Sequence, residues 1–198
     1  RESEAAALLR AELTDAPAVA ASAEAAARVL AFDLPKYVDP NDEVLWTWLA
    51  ARPRWEYTEE RLLWCLFEQA PRTGLDGYFS RAEGLAASND ATRAFTLGWL
   101  MNRMHFPQRS LPQLTAAMNG GTNAEVRERA AFTLLESYLD LGDWRQAEAI
   151  FPQASARLTP GEQPEWLGRV ALGAARAGAR EDALRLWARV ANLNPSFL

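Results

Sequence analysis

One stretch constrains this chain more than any other: residues 131 to 195 repeat themselves at a fixed period. Gly142 recurs as Gly178, Ala147 as Ala183 and Phe151 as Trp187, each 36 residues on, and Pro160 recurs as Pro195, 35 on. A period of this length marks one supersecondary unit used again and again. Each unit has an apolar face that only the next unit covers, so the units must stack. Stacked units present extended surfaces, which points to binding rather than catalysis.

Helical signals fill the rest of the chain. Residues 2–14 and 17–32 are alanine-rich, with Leu and Val at helical spacing, and Asp15-Ala16-Pro17 reads as a stop followed by a start. Asp39-Pro40 opens a helix with Val44, Leu45, Trp48 and Leu49 on one side, ended by Pro53. Thr58 is the expected N-cap of a helix to about Ala70, with Glu59 and Glu60 in its first turn. Leu75 to Ser88 follows. Asn89 or Asp90 then caps Ala91 to Met104. After His105-Phe106-Pro107 come Arg109 to Asn119, a Gly120-Gly121 stop, and Ala124 to Leu141 under an Asn123 cap. Trp144 to Leu158, a helix from Thr159-Pro160 to Ala177, and Arg180 to Asn192 close the series. No segment alternates apolar and polar residues at convincing strand length. The expected class is all-α, with about eleven helices and short turns that force neighbours to be antiparallel.

The anchors within the period resemble the tetratricopeptide repeat (TPR), whose pattern runs from a large apolar residue through Leu-Gly and Tyr to a turn Gly, Ala-x3-Phe and a closing Pro. One unit offers Leu134-Leu135-x2-Tyr138, Gly142, Ala147-x3-Phe151, Ala154 and Pro160. The next offers Val170-Ala171-x2-Ala174, Gly178, Ala183-x3-Trp187 and Pro195. An earlier one offers Leu97-Gly98-x2-Met101, Ser110-x3-Leu114 and Ala117. The resemblance implies three helix pairs over residues 91–198 and degenerate helical repeats over 1–90, wound together as one right-handed α-solenoid.

It also implies where a partner sits, because the first helix of each TPR unit lines a concave groove. Carried over by position, the groove holds Phe95, Trp99, Asn102 and Arg103 from one unit. Arg129, Phe132, Glu136 and Leu139 come from the next, and Glu165, Arg169, Leu172 and Arg176 from the last. Arg and aromatic residues together suit recognition of a protein or peptide. Phe95, Phe132 and Leu139 fit packing between units equally well. The two-Lys, two-Asn clamp for a C-terminal carboxylate is not visible. TPR arrays of this kind often precede outer-membrane barrels, so the resemblance implies a scaffold in a bacterial envelope or exopolysaccharide-export assembly, which favours the periplasm over the cytoplasm without fixing the compartment.

Composition sets the outer limits. Apolar residues make up 49% and charged residues 24%, which is the globular range. A net charge of −5 makes the chain a poor general ligand for nucleic acid, whose binding rests on cations meeting phosphates. Lys36 is the sole lysine among 21 basic residues, which with abundant alanine suggests a GC-rich bacterial genome. The lone Cys65, set in Leu63-Trp64-Cys65-Leu66, excludes an intrachain disulfide and multi-cysteine metal sites and reads as a small buried hydrophobe. No stretch reaches the ~18 apolar residues of a membrane span. Arg1 at the start, and an end where another unit would begin, read as the two ends of an excised piece of a longer protein.

Catalytic signals are weak. The single His105 has neither a nucleophile elbow nor a second metal ligand in a HExxH pattern, and suits the end of a helix. Asp39, Asp42 and Glu43 imitate a glycosidase carboxylate set, yet acids belong at a helix start. With Trp46, Trp48, Trp55 and Trp64 they form the basis of a rival reading, a polysaccharide-acting α/α-toroid enzyme; filling the core is the simpler role for those tryptophans. A second rival, an RNA-reading helical repeat, shares the period but not the acidic charge or the Ala-x3-Phe spacing. No catalytic, cofactor or metal site is expected.

Overall fold

The structure, a computed structural model, describes residues 1–17, 20–86, 90–121 and 123–194. These residues form eleven α-helices and three short 3-10 turns, and among them there is no strand. In chain order the helices are α1 (Glu2–Asp15), α2 (Ala21–Phe32), α3 (Glu43–Ala51), α4 (Tyr57–Gln69), α5 (Leu75–Ala86) and α6 (Ala91–Arg103). They continue as α7 (Pro107–Gly120), α8 (Ala124–Asp140), α9 (Trp144–Ala154), α10 (Gln163–Arg176) and α11 (Arg180–Leu193). Two compact units divide the chain, Arg1–Leu97 and Gly98–Leu198. The repeat anchor Pro195, the cap alternative Asn89, and Ser88 at the expected end of α5 lie outside the described residues.

In the first unit the pairing skips a neighbour: α1 packs on α2, but also on α3, and α2 packs on α4. The alanine stripe of α2 explains why. Ala23, Ala26, Ala27 and Ala31 are all buried, so α4 approaches closely enough for the Cys65 thiol to donate to Ala31 O at 3.4 Å. Burial pushes that thiol above its ordinary pKa, which makes it inert. Trp46, Trp48 and Trp55 are buried as well, with Arg81, Arg52 and Arg93 stacked over their rings at 4.7, 5.1 and 5.4 Å. Trp46 Nε1 donates to Pro40 O and Trp55 Nε1 to Leu49 O. These rings fill the core.

The cap of α4 is Glu56 rather than Thr58. Its side chain accepts from the Glu59 backbone amide while the Glu59 side chain accepts in turn from Glu56 N at 3.0 Å, satisfying two donors that a helix start leaves open. Glu59, 1% exposed, also takes Arg52 Nε at 2.5 Å.

In the second unit each helix packs on the next, α7 on α8 and so on to α11, and α8 also meets α10. Small residues set these distances. A Cβ on Gly98 would stand 2.7 Å from Leu114 Cγ, so α6 and α7 touch almost backbone to side chain there. Ala147, Ala154, Ala171, Ala174 and Ala183 are buried in the same manner. Three turns share one geometry. His105, Gly142 and Gly178 take φ of 66°, 73° and 76°, 37 and 36 residues apart. In each, the following amide closes the turn: Phe106 N on Met101 O, Asp143 N on Tyr138 O and Ala179 N on Ala174 O, at 2.9, 2.9 and 3.0 Å. This is the Schellman closure of a helix C-terminus, normally given to glycine. His105 is thus the end of α6, as its setting suggested, but in a left-handed conformation that the sequence did not announce.

A buried polar chain links the first three helices of this unit. Ser137 Oγ donates toward Asn102 Oδ1 at 3.0 Å and lies 3.0 Å from Ser110 Oγ, which reaches Pro107 O at 2.7 Å. Further on, α10 begins at Gln163 rather than at Pro160. Glu162 folds back on Thr159, accepting from its amide at 2.8 Å and its hydroxyl at 2.7 Å, and holds the segment as a turn.

Candidate functional site

The repeat positions converge on α8 and α10. Arg169, Leu172 and Arg176 stand at i, i+3 and i+7 on α10, one face of the helix. Phe132, Glu136 and Leu139 stand at i, i+4 and i+7 on α8, again one face of the helix. Phe132 meets the edge of Trp166 at 4.8 Å, and the Arg169 guanidinium lies 4.2 Å over the same indole. Arg169 is therefore held in place by its own helix, one turn on from Trp166.

Between the two helices opens a cavity of about 550 Å³, lined by Leu139, Asp140, Gly142, Trp144, Arg169, Leu172, Gly173, Arg176 and Ala177. Trp144, buried at the start of α9, is among the lining residues. A Cβ on Gly173 would come 3.0 Å from Trp144 Cβ, so glycine lets α10 settle on the start of α9. Leu172 is 41% exposed in this setting. Among the described residues neither Arg169 nor Arg176 holds an ion pair. Arg176 also suits the last turn of α10, where the helix dipole favours a cation.

Electrostatics centre on Glu136. Burial pushes its carboxyl above the usual range, Arg103 and Arg169 pull it back, and Asp140 adds to the rise. Residues of three alternate helices, Arg103 on α6, Glu136 and Asp140 on α8 and Arg169 on α10, thus bear on one half-buried group, all four within the second unit.

The remaining groove positions scatter. Arg103 stacks on the half-buried Trp99 at 5.6 Å and is exposed. Arg129 is half-buried, and its carbonyl accepts from Thr133 Oγ1 at 3.0 Å. Glu165 is exposed. Two positions are corrected: Phe95 is 4% exposed and Asn102 9%, so both serve packing, Asn102 as part of the serine chain, and neither is open to a partner. Asp140, Trp144, Trp166 and Gly173 join the site although repeat position did not select them. The signal for Trp166 was its spacing of three from Arg169, which places a cation over a ring on a helix.

The rival carboxylates are occupied otherwise. Asp42 caps α3 through Val44 N at 3.0 Å and pairs with Arg10 at 2.7 Å. Asp39 accepts from Asn41 N at 2.8 Å. Glu43 is gripped by both ends of the Arg81 guanidinium, whose hydrogen bonds hold its carboxyl below the usual range. A general acid needs the opposite shift. A cavity of about 380 Å³ adjoins Glu43, Tyr78 and Arg81 in the first unit. Among the described residues no group of His, Cys, Asp and Glu has the grouping of a metal site. No helix among them is long and apolar enough to cross a membrane.

Compared with known proteins, the chain matches no family model, no curated protein and no solved structure.

Proposed function

We propose that the second unit is a TPR-like scaffold that holds a segment of a partner protein between α8 and α10. One observation carries the reading: Leu172, exposed on α10 between Arg169 and Arg176 in the sequence, lines one cavity with both arginines, which hold no ion pair among the described residues, and with the buried Trp144. An apolar side chain beside available donors is how a protein anchors a partner's side chain and fixes its backbone. The shared geometry of His105, Gly142 and Gly178 supports the repeat on which this rests. In this reading the helices wind as a right-handed superhelix, and the protein is one part of a larger bacterial envelope assembly, as the repeat resemblance implies.

Site-specific photo-crosslinking tests it. A photoreactive amino acid replaces Leu172, or Leu184 on α11 (61% exposed) as a control, in cells that make the protein naturally. The reading expects a discrete adduct from position 172 and none of equal yield from 184. Equal adducts from both, or none from 172, overturn it.

A further inference from the structure

The proposal concerns what the cavity recognises, and rests on the groove reading above. We infer that the α8–α10 cavity selects extended peptide segments carrying two acidic residues, two or three positions apart, next to an aliphatic or aromatic side chain.

Three features of the lining lead there. First is charge. The cavity lining sets Arg169 and Arg176 against Asp140; with Glu136 and Arg103, which act on the same cluster, the balance is still a positive excess within a chain of net charge −5. A local reversal of sign against the background attracts an anionic partner and steers its approach. Second is spacing. Seven residues along α10 set the Cα atoms of the two arginines about 10 Å apart, at about 1.5 Å per residue, and Arg169 leans back onto Trp166. One carboxylate does not bridge that distance. Two acidic side chains on one side of an extended segment stand about 7 Å apart two positions on in a strand, or about 9 Å apart three positions on in a polyproline II helix, and the flexible arginine stems take up the difference. Third is the apolar part. Leu139, Leu172 and Trp144 line the same cavity as the charges, so the segment needs a hydrophobic side chain in addition to its acids.

Two details add selectivity. Arg169 is fixed on Trp166 at 4.2 Å, so its planar fork loses little freedom on pairing with a carboxylate. Asp140 lines the same cavity and repels a third acid, while its oxygens can accept a backbone amide of the segment. A uniformly acidic run is therefore penalised, and a mixed acidic–apolar segment is favoured.

The test is selection of phage-displayed random dodecapeptides on the whole chain at low salt. Enriched peptides should carry Asp or Glu two or three positions apart beside Leu, Ile, Val, Phe or Trp. Synthetic copies should bind at least tenfold more weakly to Arg169→Gln and to Arg176→Gln, and at least tenfold more weakly to wild type in 0.5 M salt. Leu172→Asp should remove binding, with circular dichroism confirming that each variant is folded. Enriched peptides without acids that are still lost in Leu172→Asp overturn this inference and leave the groove reading standing. Acidic peptides that bind both arginine variants as wild type also overturn it. No enrichment, or binding indifferent to all three substitutions, sinks the inference and the groove reading together.

Discussion

Replacing Gly98 by alanine is expected to destabilise the second unit, against the general gain that alanine brings to a helix. A Cβ there would lie 2.7 Å from Leu114 Cγ, 2.9 Å from Leu114 Cδ2 and 3.1 Å from Leu114 N. Carbon atoms in contact prefer about 3.5–4.0 Å, so the shortfall is about 1 Å. Turning the Leu114 side chain moves Cδ2 but leaves the backbone nitrogen where it is, and Leu114 is fully buried, with no solvent to turn into. Helix α7 has to retreat from α6. Overpacking of this kind costs about 1–3 kcal/mol, while alanine in place of glycine returns up to about 1 kcal/mol. The net is a loss of about 1 kcal/mol. Gly84→Ala on α5 is the internal control: nothing stands within 4 Å of its Cβ position, so only the helix gain operates. Subtracting the two removes the propensity common to both and leaves the clash, about 1–3 kcal/mol. Urea titrations followed at 222 nm measure it, and thermal scans should separate the variants by about 2–4 °C per kcal/mol for a chain of this size. If Gly98→Ala proves as stable as Gly84→Ala, α6 and α7 do not meet at this glycine, and the packing argument for the second unit fails.

Two further outcomes follow from the turn and the buried carboxyl. His105→Gly should raise the urea midpoint by an amount worth about 1 kcal/mol, because a side chain at φ 66° pays a left-handed penalty that glycine avoids, and His105→Val should lower it; equal midpoints for the two variants would refute the left-handed turn. Glu136 holds its proton more tightly when folded than unfolded, since burial raises its carboxyl, so stability declines as pH climbs from the ordinary 4.5 through the raised value. Glu136→Gln should then outlast wild type in urea at pH 7 and match it near pH 4; a gap of the same size at both pH values rules out titration of this group as the cause.

The helical class was plain from the residues, because alanine, leucine and the turn glycines agree locally on one state. The pairing in the first unit was hidden. In α2 the contact surface is a run of alanines, and small residues define a close approach without naming the helix that makes it. The cap at Glu56 escaped notice because its acceptor pairs with Glu59, three residues on, whereas Thr58 carries the stronger intrinsic cap signal. His105 concealed the third repeat turn for a simple reason: a histidine in a glycine position reads as a break. Of the positions that the repeat resemblance selected, Leu139, Arg169, Leu172 and Arg176 line one cavity. It could not separate them from Phe95 and Asn102, which occupy helix positions of the same kind but turn to the core. Periodicity gives the angle around a helix to within a residue or so, and one residue is the difference between rim and core.

The hydroxyl chain of Asn102, Ser110 and Ser137 bears on how a repeating sequence avoids folding out of step. Successive units are similar enough that α8 could lie against the helices of the neighbouring unit and still bury its apolar stripe. At the corresponding positions one unit on, however, stand Leu139, Ala147 and Gly173. None of their side chains offers a hydrogen-bond partner. A slipped pairing leaves Ser137 bonded to Thr133 O and Ser110 to Pro107 O within their own helices, but takes from the Asn102 carboxamide oxygen its Ser137 donor, at about 1–3 kcal/mol for that group. The three polar residues contribute little net stability to the right arrangement. Their effect is on the wrong one, as a parity mark that tells α8 which neighbours belong to it.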